Sequence, residues 1–213
     1  MKIAVLGTGV VGKALARGFV GIGYDVMMGT RDAKSEKAIA LLNEVPGVKI
    51  GSFNEAAKFG EMAVLCTLWS GTESALKMAD AKNLAGKVVI DATNPLVFAP
   101  NAPPSLALGH TDSGGEQVQR WLHESKVVKA FNIVGNTEMV KPEFPCGPPD
   151  MFIAGNDVDA KAKVTEILTA FGWNTVDIGG IEGARVLEPL TILWVLYGMH
   201  TGAWRHAYKM LKK

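Results

Sequence analysis

Three glycines spaced as Gly7-Thr8-Gly9-Val10-Val11-Gly12 stand between an apolar stretch, Lys2 to Leu6, and a run of good helix formers, Lys13 to Arg17. A glycine turn that joins a strand to a helix brings backbone close to an anion and leaves the first N–H groups of the helix free to receive it. Each glycine has its own reason to be there: Gly7 permits the tight turn, Gly9 the approach of a diphosphate, and Gly12 the close packing of helix on strand. Thr8, Val10 and Val11 complete the turn, so the chemistry expected of Gly7 to Gly12 is binding of a dinucleotide diphosphate. The competing reading is a tight turn that binds nothing; the position directly after an opening strand favours binding.

The end of the second strand decides which dinucleotide. Where a ribose-binding carboxylate would usually stand, this chain has Gly29-Thr30, followed by Arg31. A carboxylate there repels a 2′-phosphate, whereas a hydroxyl and a guanidinium bind it through charge-assisted hydrogen bonds. Thr30 and Arg31, with Lys34 adding charge from the next turn, therefore point to NADP. The alternative is a solvated Arg31 with Asp32 as a displaced ribose acid.

Two further strand ends fall on the binding side. Met62 to Leu68 is a continuous apolar run whose end places Thr67, Leu68 and Trp69 in the cofactor crevice, with Trp69 equally readable as a core tryptophan. Lys87 to Thr93 stops at Asn94-Pro95, where Asn94 is either a partner for a carboxamide such as that of nicotinamide or a turn asparagine. No metal-ligand cluster is expected, since His200 and His206 do not share a helix face and His110 and His123 stand alone. A G-x-S-x-G nucleophile turn is missing too, and no catalytic side chain is assigned. What remains is hydride transfer by positioning.

These residues need a scaffold. A chain of 213 residues, 48% hydrophobic, suits one α/β domain with a small appendage rather than two full domains. A net charge of +1 gives no reason to expect nucleic acid, and two cysteines, Cys66 and Cys146, do not make a disulfide framework. With no secretory leader at the N-terminus, a cytoplasmic location is expected. The periodicity predicts helices over Val10 to Ile22, Ala33 to Glu44, from a Ser52/Glu55 capping box, Ser74 to Lys82, from Asp112 or Ser113, and Asp159 to Phe171. Strands are predicted near Val48 to Ile50, Lys126 to Asn132, Met151 to Gly155 and Asn174 to Ile178, with irregular loops over Pro95 to His110 and Pro142 to Pro149. The result is a doubly wound, mainly parallel sheet over residues 1–180 and a helical extension over residues 181–213. Its run Leu190 to Tyr197 is too short to span a bilayer, so no membrane association is expected. Leu190, Ile192, Leu193, Val195, Leu196 and Tyr197 go almost round a helix, so a homodimer is expected; the rival is a helix laid over its own sheet with Trp194 filling a gap.

Together the Gly7 to Gly12 turn, Gly29-Thr30-Arg31-Asp32, Thr67-Leu68-Trp69, Val127 to Asn132 and Ile153 to Asp157 resemble the NADP oxidoreductases dependent on coenzyme F-420 (F420), an 8-hydroxy-5-deazaflavin. The cytosolic domain of the STEAP metalloreductases, in which NADPH reduces a flavin, is similar around Val127 to Asn132 and Ile153 to Asp157. The resemblance implies a Rossmann domain, a small C-terminal extension, usually a dimer, and NADPH with a deazaflavin or flavin as redox partner. Where family members often have two basic residues after the Ser or Thr, this chain has Arg31-Asp32, and Thr111 to Glu116 is divergent. Two other functions compete. One is an NADP-dependent dehydrogenase of a small carbonyl or imine with Lys129 as proton donor; the other is a non-catalytic NADP-binding redox sensor that meets a partner through its C-terminal helix.

Overall fold

Strand β1 (Lys2–Leu6) lies inside the sheet with Ile3 and Val5 on one face and Ala4 and Leu6 on the other, all four fully buried. A strand covered on both faces has no polar side, which is why its sequence reads as an unbroken apolar run. The structure is a computed structural model and describes residues 1–100, 102–211 and 213.

From β1 the chain winds through α1 (Val10–Gly21), β2 (Asp25–Thr30), α2 (Glu36–Glu44), β3 (Val48–Ser52), α3 (Phe53–Phe59) and β4 (Met62–Leu65). It continues through α4 (Trp69–Ala79), β5 (Val88–Asp91), a hairpin of β6 (Leu96–Val97) and β7 (Ser105–Leu106), α5 (Gly114–Trp121) and β8 (Lys126–Lys129). The last elements are β9 (Asp150–Gly155), α6 (Val158–Ala170), β10 (Asn174–Asp177) and α7 (Ala184–Thr201). The main sheet has the order β10-β9-β8-β5-β4-β1-β2-β3. Six strands, β3 to β8 across the order, are parallel; β9 joins β8 antiparallel and carries β10 parallel to itself. One apolar cluster packs α1, α6 and α7 on one face, and a second packs α3, α4 and α5 on the other. This is the doubly wound, mainly parallel sheet expected, of Rossmann type, with β1 and β4 flanking the point where strand order reverses.

Several boundaries differ from expectation. Helix α2 starts at Glu36 because Ser35, not a residue near Ala33, accepts from the Ala38 N–H as N-cap. The Ser52/Glu55 capping box forms as expected and starts α3. Strand β4 ends at Leu65, its register partner being Leu6, the last residue of β1, so Cys66 to Leu68 is turn and not strand. Helix α4 then begins at Trp69, five residues before the expected Ser74. The loop after Pro95 contains the β6–β7 hairpin.

The C-terminal extension is not helical throughout. Gly202, at φ 72°, ends α7 in the left-handed conformation that glycine tolerates. The tail then turns back: the Asp150 N–H donates to the Tyr208 carbonyl, the Met210 N–H to Asp150 Oδ2, and the Tyr208 hydroxyl to the Leu190 carbonyl. Trp194 lies over Gly135 and donates to the His206 carbonyl. Helix α7 is thus laid against its own domain through Leu187, Glu188 and Thr191, while Leu193, Leu196, Tyr197 and Met199 remain exposed. Among the described residues no helix is long and apolar enough to cross a membrane.

Candidate active site

Close packing fixes the glycine turn on its inner side. A Cβ on Gly7, at φ 134°, would lie 2.7 Å from the Cys66 carbonyl oxygen, and one on Gly12 would overlap the Gly7 carbonyl. Cys66 fills the space beneath, its thiol donating to the Leu6 carbonyl at 3.4 Å. Burial pushes that thiol up to about 12, so it stays protonated and serves as a spacer rather than a nucleophile. Gly9 is different. It has an ordinary extended conformation, and a Cβ there would meet nothing within 4 Å. The protein itself leaves room at Gly9, so any need for glycine there comes from what approaches from outside.

Two helices begin at the point of strand reversal, and neither has a side-chain cap. Helix α1 starts from Gly9 and α4 from Leu68, whereas α2, α3, α5 and α6 are capped by Ser35, Ser52, Ser113 and Asp157. Their first N–H groups, Val10 and Val11 among them, are left for water or an anion. Thr67 is half-buried and its hydroxyl pairs with that of Thr72 at 2.9 Å. Leu68 is exposed. Trp69, the first residue of α4, stacks on Trp121 at 5.6 Å and sits against Gly114 and Pro95. It forms the rim between α4 and α5 rather than the interior of the core.

Beside this point Thr8, Lys13, Thr30, Arg31 and Lys37 line a cleft of about 540 Å³ at the end of β2. Arg31 is exposed and, among the described residues, forms no ion pair. Asp32 also lines the cleft, but its carboxylate accepts the Lys34 N–H at 2.9 Å, shaping the turn. Lys34 does not line the cleft; Lys37, the second residue of α2, does. Helical phase explains the exchange: with Ser35 as N-cap, residue 34 lies before the helix and residue 37 on its cleft side.

On the other side of the reversal point lies a buried ionic cluster. Lys129, opposite Asp91 in the β5–β8 register, is fully buried, and its Nζ donates to Asp91 Oδ2 (2.9 Å) and the Thr93 carbonyl (2.7 Å). It also sits 2.8 Å from Glu188 Oε1 of α7. Glu188 in turn accepts the Gly114 and Gly115 N–H groups at the start of α5, and Asp91 accepts from Thr93. Burial alone would lower the lysine's pKa, but the charges of Asp91 and Glu188 and their hydrogen bonds together outweigh it and raise the pKa above the ordinary lysine value. Two hydrogen bonds and the Glu188 carboxylate enclose an ammonium that is fully buried, so Lys129 is not presented to a substrate.

Next to this cluster the side chains of Asn94, Asn132 and Thr191 interlock. Asn94 Nδ2 donates to the Asn132 carbonyl (2.9 Å), Asn132 Nδ2 to Asn94 Oδ1 (3.1 Å), and the Thr191 hydroxyl lies 2.8 Å from Asn94 Oδ1. The Asn94 side chain is turned inward to this network, and Pro95 is buried beside it. Among the described residues Asn132 Oδ1 is buried without a partner, and Phe131 before it holds φ 63°, a conformation costly for a bulky residue. Sequence reasoning missed Asp91, Glu188, Asn132 and Thr191 as a group, because nothing local marks residues joined across separations of 38 to 97 positions. The one available signal was charge inside otherwise apolar segments: Asp91 and Lys129 in strands, and Glu188 ahead of Leu190 to Tyr197.

Comparison with known proteins shows what the chain as a whole is similar to. Residues 2–95 match the family model of coenzyme F420-dependent NADP oxidoreductases. The chain is 33% identical over 208 residues to the F420-dependent NADP reductase of Methanothermobacter marburgensis, covering 92% of this chain and 91% of that one. It superimposes with a TM-score of 0.93, at 37% identity and full coverage of both chains, on the crystal structure of a candidate F420-dependent NADP reductase from Arthrobacter sp. FB24. The rat metalloreductase STEAP3 is 29% identical over 90% of this chain, which spans only 37% of that protein's length.

Proposed function

The chain belongs to the coenzyme F420-dependent NADP oxidoreductase family, and on that premise we propose that it transfers a hydride between NADPH and the deazaflavin ring of F420. That it is an NADP-dependent oxidoreductase follows from the family; the acceptor is the proposal. The observation that carries it is the state of Lys129, which is fully buried and held inside the protein by Asp91, the Thr93 carbonyl and Glu188. Reduction of a carbonyl or imine calls for a proton donor at the reacting atom. A transfer between two flat rings needs only that they be held face to face with water excluded.

The residues divide the work along the crevice. Gly7, Thr8, Gly9, Val10, Val11 and Gly12 receive the diphosphate at the uncapped start of α1, and the start of α4 behind Thr67 and Leu68 offers a second set of free N–H groups. Thr30 and Arg31 hold the 2′-phosphate, with Lys37 as their further cation and Lys34 contributing charge from the turn outside the cleft. Trp69, Asn94 and Pro95 bound the nicotinamide end, Asn94 shaping it through its network rather than by a free amide. When bound, NADPH supplies the hydride and the deazaflavin accepts it carbon to carbon, the balancing proton reaching a ring nitrogen from solvent. With F420, FMN and a cyclic imine offered in turn, NADPH oxidation should be fastest with F420. Turnover of the imine alone would support the dehydrogenase reading instead, and no turnover with any acceptor the sensor reading.

Gly9→Ala is expected to weaken NADPH binding at least tenfold, because the methyl occupies the place of the diphosphate. The thermal midpoint should stay within a degree or two, since none of the described residues stands within 4 Å of that methyl. Calorimetric binding equal to wild type would make the turn purely structural.

A homodimer fits the exposed row Leu193, Leu196, Tyr197 and Met199, which a second copy would cover while residues 181–213 stay part of the same unit as residues 1–180. Leu196→Glu should convert the dimer to a 22.7 kDa monomer by light scattering. A wild-type protein already monomeric at micromolar concentration would defeat the dimer.

A further inference from the structure

Helix α7 has apolar residues almost all round, so hydrophobic burial alone would accept several rotations of it against the domain. One feature selects among them. Glu188 is 1% exposed, and its carboxylate takes donors from two separate elements: the Lys129 ammonium of β8 at 2.8 Å, and the Gly114 and Gly115 N–H groups of α5 at 2.9 Å each. A slip of α7 by one residue would turn it by about 100° and advance it about 1.5 Å. Leu187 or Pro189 would then face a buried ammonium and two buried N–H groups, none of which they can satisfy.

One turn along the same face stands Thr191, whose hydroxyl is 2.8 Å from Asn94 Oδ1 and donates to the Asn132 carbonyl at 2.7 Å. We propose that Glu188 is a positioning residue for hydride transfer: it fixes the rotation and height of α7, and through Thr191 it holds Asn94 and Asn132 at the nicotinamide end of the crevice, where the acceptor ring must stack. Buried ion pairs are often no better for stability than apolar residues of the same size, and register is what they are best attested to supply. The inference rests on the function proposed above, since it takes the Asn94–Asn132–Thr191 network to border the place where nicotinamide and acceptor ring meet.

Glu188→Gln tests it. The amide is isosteric, but its NH₂ must face either the Gly114 N–H or the Lys129 ammonium, donor against donor, whichever way it turns. Acceptor kcat/KM should fall about ten- to a hundredfold, the scale of a misplacement near 1 Å, while NADPH Kd stays within twofold of wild type. Thr191→Val should give a similar loss, and the double variant little more than either single one, because both break one linkage. Additive losses, an acceptor kcat/KM within twofold of wild type, or NADPH affinity falling in step would each overturn the proposal. Should Glu188→Gln not fold, Lys129→Met with Glu188→Leu removes both charges of the pair together, and the same acceptor-selective loss is expected of it. Wild-type turnover with F420 tests the function itself. If that fails, the variant-to-wild-type ratio is read with FMN or a quinone dye, so the two proposals fail separately.

Discussion

Lys129→Met should destabilise the folded chain by about 3–5 kcal/mol, the usual scale for removing one member of a buried ion pair. The side chain is fully buried, so the loss is not softened by solvent, and it leaves Asp91 and Glu188 as two buried carboxylates without their shared cation. Asp91 keeps its bonds from Thr93, and Glu188 its bonds from Gly114 and Gly115; replacing Glu188 at the same time removes one of the two unpaired carboxylates but leaves those two N–H groups without their acceptor, so the double variant should lose about as much as the single one. Urea unfolding checks both, through a lower midpoint at unchanged slope. A single-variant loss below about 1 kcal/mol would mean that water reaches the cluster. The pH dependence has a definite sign. The folded-state pKa of Lys129 is raised, so its charge contributes fully at every pH below the ordinary lysine value, and the contribution is lost only as pH rises through the folded one.

Arg31→Ala should weaken NADPH binding by about 1.5–3 kcal/mol, or roughly ten- to 150-fold in Kd, and leave NADH binding nearly unchanged. Arg31 is exposed at the cleft and has no ion-pair partner among the described residues, so no internal network has to break for it to meet a phosphate. The other cations are differently placed. Lys13 is paired with Glu44, and Lys34 does not line the cleft, leaving Lys37 as the residue that retains partial discrimination in the variant. An equal loss for NADPH and NADH in parallel titrations would move the 2′-phosphate elsewhere and return Asp32 to consideration as a ribose acid.

The parts of this protein that depend on neighbours in the chain could be read before folding. The Gly7–Gly12 turn, the Ser52/Glu55 capping box, the Ser113 cap and the six parallel strands are written in short windows of residue type. The start of α4 could not be read, because Leu68 is no capping residue and Trp69 gives no helix signal. The exchange of Lys34 for Lys37 depended on a helix start that the composition placed near Ala33. Lys129 was legible as a candidate proton donor only while its surroundings were unknown; Asp91 and Glu188 arrive from 38 and 59 positions away and enclose its ammonium. The bend of the tail after Gly202 rests on Tyr208 meeting Asp150 and Leu190, again contacts that no local pattern encodes.

The most direct test of the account is a single-turnover reaction of the wild-type enzyme with F420 and NADPH deuterated at C4, one face at a time. The account predicts that deuterium from one face appears at the deazaflavin carbon and none is lost to solvent, because the hydrogen moves with its electron pair from carbon to carbon and the accepting carbon takes no proton. Deuterium released to water, or absent from F420 with either label while it appears in an added imine, would contradict it.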